Sequence, residues 1–208
     1  MQGDLGYWSR YHSMNDEPEA MNILSAAPRL PALVVFDLDY TLWPYFCECR
    51  SKNEIPVLYP QAKSAIQALK AKGVLVAVAS RSPTADIART FLNKLDLLPT
   101  FCCMEIYPSW SHKTDHLKKI HQKTGIPYTS MLFFDDEERN IQAVSQMGVK
   151  SVLVHNGVNL NALKEGLQKF GDVETGSDGQ VRRQKKLTDF WNRGSKGKHG
   201  PTNLDKHR

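Results

Sequence analysis

The most constraining feature of this 208-residue chain is the alternation of short apolar runs with amphipathic segments of about a dozen residues. The first run, Ala32–Phe36, is continuous and apolar, which is typical of a strand buried on both faces. The amphipathic segments show helical spacing and end at glycines such as Gly73 and Gly148. We predict strands over 32–36, 74–79, 101–107, 131–134 and 149–154, and helices over 61–72, 83–95, 113–124, 137–147 and 160–170.

Strands that alternate with helices predict right-handed crossovers and a parallel sheet covered on both faces. The predicted fold class is therefore α/β, a three-layer, doubly wound parallel sheet over residues 31–171. Residues 1–30 mix glycine, serine, proline and charge without periodicity, so we expect a disordered leader there. Periodicity also stops after Gly171, and we expect residues 172–208 to form a flexible tail.

Four aspartates follow two of the predicted strands. Asp37 and Asp39 come directly after the first strand, and both point to the same side if the extended geometry continues. Asp135 and Asp136 end the fourth strand, and reactive sites in such sheets lie beyond the carboxyl ends of the strands. Because like charges repel at short range, these carboxylates need a cation or a shared proton. Their oxygens are the ligands that Mg²⁺ prefers.

Candidate phosphate ligands lie at the same predicted edge. Ser80 follows the second strand, where its hydroxyl and nearby backbone N–H groups can hold a phosphoryl oxygen. Lys113 begins the third helix and can neutralise a transferring phosphoryl group. Each residue also has an ordinary structural interpretation: Ser80 as a helix N-cap, Lys113 as a surface lysine, the aspartates as capping or turn residues. Their joint occurrence on four separate elements, in this order along the chain, favours catalysis.

These residues resemble the signature of the haloacid-dehalogenase-like phosphatases. The signature is a DxDxT motif, a strand-end serine, a lysine and a later pair of aspartates, here Asp37, Asp39, Thr41, Ser80, Lys113, Asp135 and Asp136. The wider sequence looks like the eukaryotic magnesium-dependent phosphatase family over about residues 30–170. The segments with this likeness are 35–44, 79–81, 105–108, 123–127 and 133–137.

The resemblance implies a Mg²⁺-dependent phosphatase that acts through an aspartyl-phosphate. Asp37 would be the nucleophile, and Asp39 would protonate the leaving oxygen and then activate water. The metal ligands would be Asp37, the main-chain carbonyl of Asp39, and Asp136 in preference to its neighbour Asp135. The substrate would be bound by Leu38, Asp39, Ser80, Arg81 and Lys113.

The resemblance further implies phosphotyrosine or sugar phosphates as substrates. Residues 44–59 correspond to the flap of that family and are few here, and no large cap domain is expected, so the site should be open to phosphoproteins as well as small molecules. Two other functions compete with this hypothesis. One is a catalytically dead binding protein on the same fold, and the other is a nucleic-acid-end phosphatase.

The positive charge of the chain is concentrated in the tail. The whole chain carries a net charge of +5, whereas residues 176–208 alone carry +6. The catalytic segment is therefore almost neutral, which argues against a basic groove for nucleic acid in the domain itself. The basic run 182–186 also fits a nuclear import signal or a weak nucleic-acid patch.

The tail contains a second motif. Gln184, Leu187, Phe190 and Trp191 match the pattern Q-x-x-aliphatic-x-x-aromatic-aromatic, which looks like the peptide that docks on the replication sliding clamp, PCNA. One helical turn would place Leu187 and Phe190 on the same side to fill an apolar pocket. Alternatively, these side chains fold back on the phosphatase domain as an extra helix.

Composition excludes several classes of protein. No stretch approaches the roughly 20 apolar residues of a membrane span, and the N-terminal segment lacks the apolar core of a secretory signal. The four cysteines, in the pairs Cys47–Cys49 and Cys102–Cys103, have no disulfide-scaffold or zinc-site spacing. We therefore expect reduced thiols and a cytoplasmic or nuclear location.

Overall fold

The computed structural model describes the backbone of residues 5–172 and the side chains of residues 16–172. Its strands are β1 Leu33–Phe36, β2 Leu75–Ser80, β3 Cys103–Ile106, β4 Met131–Asp135 and β5 Lys150–Leu153. Its α-helices are α1 Leu5–Ala26, α2 Ala62–Ala71, α3 Ala85–Lys94, α4 Thr114–Thr124, α5 Glu138–Ser145 and α6 Leu160–Gly171. Every predicted strand and helix is confirmed, with ends shifted by a few residues. No helix in the described range is both long and apolar enough to span a membrane.

The five strands form one parallel sheet in the order β3-β2-β1-β4-β5. Alternate residues of the strands face opposite sides, so the core has two halves. Val34 and Phe36 of β1 pack with α1, α2, α3 and α6 on one face, and Leu33 and Val35 pack with α4 and α5 on the other. The fold is thus the predicted three-layer, doubly wound α/β architecture.

The strand order places a crevice beside β1. After β1 the chain builds β2 and β3 on one side, and β4 then pairs with β1 on the other side. In open α/β sheets, ligands bind at this reversal of strand order, outside the carboxyl ends of the strands. Asp37 leaves β1 at that point, and its N–H donates to the Phe134 carbonyl of β4 at 3.0 Å.

Helix α1 corrects the expectation of a disordered leader for residues 5–26 of the segment 1–30, and residues 1–4 lie outside the described residues. Residues 5–26 are helical, and Ala20 and Leu24 are buried against α2 and α6. Asp16 accepts a hydrogen bond from Gln61 Nε2 at 3.1 Å, and Gln61 Oε1 accepts from the Leu160 N–H at 3.0 Å. The sequence pattern missed this helix because only two of its described apolar side chains are fully buried and Pro18 interrupts its polar stretch.

Candidate active site

Residues from three strand ends and one helix start line a single cleft. Asp37 follows β1, Ser80 ends β2, Asp136 follows β4, and Lys113 directly precedes α4. The cleft has a volume of about 140 Å³. Its lining is Asp37, Asp39, Phe46, Glu48, Ser80, Arg81, Ser82, Lys113, Asp136, Glu137, Arg139 and Asn140. The residues predicted from four separate parts of the chain therefore meet at one edge of the sheet.

Lys113 is buried at the centre of this group. Its Nζ donates to Asp37 Oδ1 at 2.5 Å and to Asp135 Oδ2 at 2.8 Å. Burial alone would lower the pKa of Lys113, but attraction to Asp135 and Asp37 outweighs it and raises that pKa. Lys113 has a left-handed backbone (φ 69°), which non-glycine residues rarely adopt. It is therefore a structurally fixed cation and not a solvated surface lysine.

The carboxylates are destabilised as anions by their surroundings. Burial raises the pKa of Asp37 well above its ordinary value; repulsion from Asp135 adds to this and Lys113 opposes it. Burial, followed by repulsion from Asp135, raises the pKa of Asp136 to about 6. One lysine is thus insufficient to neutralise the cluster, and a bound cation would favour the charged forms.

The two adjacent aspartates differ in how many hydrogen bonds they accept. Asp135 Oδ1 accepts from the Glu137 N–H at 2.8 Å and from Asn140 Nδ2 at 3.0 Å, while Oδ2 accepts from Lys113. From the side chains of residues 16–172, Asp136 accepts only a long contact, 3.5 Å, from Thr41 Oγ1. Asp136 therefore has the carboxylate available to bind metal, and Asp135 orients Lys113 and the turn into α5.

Asp39 is oriented from one side. Its Oδ1 accepts from Trp43 Nε1 at 2.7 Å and from the Cys47 N–H at 3.1 Å. Within residues 16–172, no group hydrogen-bonds to Oδ2. Burial is the main cause that raises the pKa of Asp39, and the hydrogen bonds from Trp43 and Cys47 oppose it. The residue thus combines a fixed orientation, one open oxygen and a raised pKa, as an acid–base group requires.

The remaining predicted substrate ligands are placed differently from one another. Ser80 is buried, and its Oγ accepts from the Ser82 N–H at 3.2 Å. It is not the N-cap of α3, because Thr84 occupies that position. Arg81 is held at the cleft rim by Ser109 and Glu137. Leu38 has its side chain in the core and does not line the cleft, so only its main chain could contact a substrate.

Several site residues were missed by the sequence interpretation. Trp43 and Cys47 orient Asp39, and Asn140 orients Asp135. Thr41, known only as part of the motif, contacts both Asp37 and Asp136 at 3.4 and 3.5 Å. Spacing gives no general signal for such partners, because a tryptophan or asparagine is an ordinary core or helix residue until tertiary contacts place it.

The flap over residues 44–59 forms one wall of the cleft. It contains a short 3₁₀ helix, Cys47–Cys49, and packs against α3, where Lys94 Nζ donates to the carbonyls of Lys52 and Glu54 at 2.6 and 2.9 Å. Phe46 lines the cleft, and its ring meets that of Tyr40 edge-on at 4.9 Å. Between β1 and α2, the described chain has no room for a cap domain.

Comparisons with known proteins agree with this geometry. The family model described as Acid Phosphatase matches residues 50–173. Human magnesium-dependent phosphatase 1 is 39% identical over 163 residues, which cover 71% of this chain and 92% of that protein. A HAD-like hydrolase superfamily protein of Schizosaccharomyces pombe is 36% identical over 143 residues, covering 57% of this chain and 83% of that protein. The chain belongs to the magnesium-dependent phosphatase family.

Solved structures share the fold of this magnesium-dependent phosphatase. The N-terminal, phosphatase-containing part of a Bacteroides fragilis protein, complexed with Mg, has a TM-score of 0.53 at 18% identity, covering 77% of this chain and 45% of that one. D,D-heptose 1,7-bisphosphate phosphatase from B. bronchiseptica, complexed with magnesium and phosphate, has a TM-score of 0.51 at 17% identity, covering 64% of this chain and 86% of that one.

Membership of a magnesium-dependent phosphatase family implies Mg²⁺ as the cofactor, and the residues present fit it. Ligand oxygens of Asp37, Asp135 and Asp136 lie within 4.8 Å of one another. An all-oxygen donor set with one under-bonded carboxylate suits a hard divalent ion that keeps several waters. The tail motif Gln184, Leu187, Phe190 and Trp191 lies outside the described residues.

Proposed function

We propose that this phosphatase hydrolyses phosphomonoesters through an aspartyl-phosphate formed on Asp37. A carboxylate oxygen of Asp37 attacks phosphorus as the bond to the leaving oxygen breaks, and Asp39 gives its proton to that oxygen. A water then attacks the phosphoryl group and transfers a proton to Asp39. The bond between phosphorus and Asp37 breaks, so phosphate is released and Asp37 is regenerated. The observation that supports these roles best is the open Oδ2 of Asp39 beside Asp37 in the same cleft.

Binding of the phosphoryl group falls to the cationic and hydroxyl side of the cleft. Ser80, Arg81 and Lys113 would hold its oxygens, and Lys113 also fixes Asp37. Mg²⁺, held by Asp37, Asp136 and the Asp39 carbonyl, would neutralise negative charge on the phosphoryl oxygens. Positioning and charge neutralisation supply most of the acceleration in phosphoryl transfer.

We propose phosphotyrosine, sugar phosphates, or both as substrates. The cleft is not covered by a cap domain within the described residues, and the flap leaves Phe46 half exposed at its mouth. A protein segment could therefore reach the site. Turnover of a phosphotyrosine peptide, a sugar phosphate and 3′-phosphorylated DNA should be compared side by side, and preference for DNA would favour the nucleic-acid-end phosphatase instead.

The catalytic proposal is tested with Asp37→Asn. This variant should fold normally and lose turnover of a generic aryl phosphate, and chelation of Mg²⁺ should abolish turnover by the wild type. Full activity in either case would exclude the mechanism. A catalytically dead binding protein is disfavoured because Asp37, Asp39, Ser80, Lys113 and Asp136 are all present.

A sliding-clamp partner and a cytoplasmic or nuclear location are further parts of the proposal, supported by the tail motif and the basic run before it. A peptide spanning residues 180–193 should bind PCNA, and the double change Phe190→Ala and Trp191→Ala should abolish binding. Absence of binding at tens of micromolar peptide would refute the partner.

A further inference from the structure

Two adjacent cysteines lie at the start of the edge strand β3, away from the active site. Cys103 is the first residue of β3, at its amino end, whereas the cleft is at the carboxyl ends of the strands. Cys103 pairs with Ala77 in the sheet, and the Cys102 N–H donates to the Val76 carbonyl at 2.8 Å. The backbone on both sides of the pair is therefore fixed by β2.

A bend at Cys102 brings the two thiols together. Adjacent residues of a regular strand point to opposite faces of the sheet. Here Cys102 precedes the strand, and the two Sγ atoms lie 3.9 Å apart. Cys102 is exposed and Cys103 is half-buried, so solutes can reach the pair, unlike the buried Cys47. Sequence spacing gave no indication of a site here.

The two thiols share a proton unequally. The hydrogen bond with Cys103 lowers the pKa of Cys102, and the same interaction, followed by burial, raises the pKa of Cys103. The pair therefore loses its first proton more readily than a lone thiol and its second proton less readily. Replacement of that last proton by a cation would make both sulfurs ligands, so binding should release protons.

The separation of the sulfurs distinguishes metal binding from disulfide formation. Two metal–sulfur bonds of about 2.3 Å at a tetrahedral angle place the sulfurs about 3.8 Å apart. A disulfide requires a sulfur–sulfur distance of about 2.05 Å. Because both cysteines are anchored to β2, the backbone opposes that closer approach. We propose that Cys102 and Cys103 form a dithiolate site for a soft cation of the Zn²⁺ and Cu⁺ class.

The ligand set also indicates how this site behaves. Among the described side chains, no third histidine, cysteine, aspartate or glutamate brings a ligand atom within 4.8 Å of both sulfurs. Structural zinc sites use four protein ligands. A two-sulfur site leaves positions for water and exchanges its ion, so it is a surface site independent of the Mg²⁺ centre.

The test is a titration of the reduced, full-length protein with Cd²⁺ in saturating Mg²⁺. Binding is monitored by the thiolate-to-metal charge-transfer absorption in the ultraviolet. The wild type and Cys49→Ser should each bind one Cd²⁺ per chain with proton release. Cys102→Ser and Cys103→Ser should each lose at least tenfold in affinity while keeping the wild-type melting temperature. Undiminished binding by either single variant would overturn the proposal. So would a wild type that gives no charge-transfer band while hydrogen peroxide converts the pair to an internal disulfide.

Discussion

Trp43 Nε1 donates a 2.7 Å hydrogen bond to Oδ1 of Asp39, and the indole ring that carries it is completely buried in the core. The ring packs edge-on against Phe91 of α3 at 5.9 Å. The orientation of Asp39 is therefore fixed by hydrophobic packing and not by solvent-exposed side chains. A rigid support of this kind would keep Asp39, the proposed acid–base group, within the narrow geometry that catalysis requires.

Trp43→Phe should impair catalysis more than stability, because the ring packing is largely kept and the hydrogen bond is lost. We expect kcat to fall about tenfold with little change in KM. The hydrogen bond favours the ionised form of Asp39, so its loss should raise the pKa of that carboxyl group. The alkaline limb of the profile of kcat against pH should therefore move to higher pH. A kcat profile identical to that of the wild type would contradict this role.

Lys113→Met should abolish activity and destabilise the metal-free protein. Removal of the ammonium leaves the buried Asp37 and Asp135 without a cation, at a cost on the order of 3 kcal/mol. The free energy of unfolding is measured in denaturant with and without Mg²⁺. Adding Asp37→Asn to Lys113→Met removes one of the two charges, so the double variant should recover stability but not activity. Equal stability of the single and double variants would argue against charge repulsion.

Magnesium affinity should rise with pH through the pKa of Asp136, which is about 6. The proton competes with the metal below that pH, so affinity should improve about tenfold per pH unit there and level off above it. Calorimetric titration with Mg²⁺ between pH 5 and 8 measures this. Asp136→Asn should bind Mg²⁺ weakly. Its affinity for Mg²⁺ should lose the pH dependence that comes from titration of the Asp136 carboxyl group.

The same group gives the metal-free protein an opposite pH dependence. Because the folded-state pKa of Asp136 is raised above the ordinary value of 3.8, the folded state holds the proton more tightly. Its contribution to stability is present below about pH 4 and is lost as pH rises through about 6. The melting temperature of wild type relative to Asp136→Asn, in chelator, should decrease over that window.

Phe46→Ala should change selectivity among leaving groups. Phe46 lines the cleft together with Asp39, the proposed acid, and it precedes Cys47, whose N–H donates to Asp39. We expect kcat/KM to fall about fivefold for an aryl phosphate, because stacking contacts contribute on the order of 1 kcal/mol. A small sugar phosphate should be much less affected. Parallel losses on both substrates would exclude a specific role for the ring.

Leu24→Ala should destabilise the domain by about 2–4 kcal/mol, because its side chain is 2% exposed in the core. Asn22→Ala is the matched control, since Asn22 lies on the same helix and is exposed. It should change the free energy of unfolding by less than about 0.5 kcal/mol. If the two variants unfold at the same denaturant concentration, α1 does not stabilise the fold.

The sequence by itself determined the order of strands and helices along the chain, and it predicted the residues that line the candidate site. Apolar runs such as residues 32–36 can be satisfied only in a sheet buried on both faces, and parallel strands bring their carboxyl ends to one edge. Local pattern was therefore enough to predict that Asp37, Ser80 and Asp135 would be neighbours. The proposed docking motif of the tail likewise rests on sequence alone.

Only the tertiary structure decided which carboxylate is open and what orients each one. Asp135 and Asp136 are identical in type and adjacent in sequence, yet Asn140 and Lys113 engage the first and leave the second nearly free. Helix α1, the support of Asp39 by Trp43 and the close approach of the Cys102 and Cys103 thiols likewise depend on contacts or backbone bends. Local periodicity encodes burial, whereas these features depend on which side chains long-range packing brings within hydrogen-bonding distance.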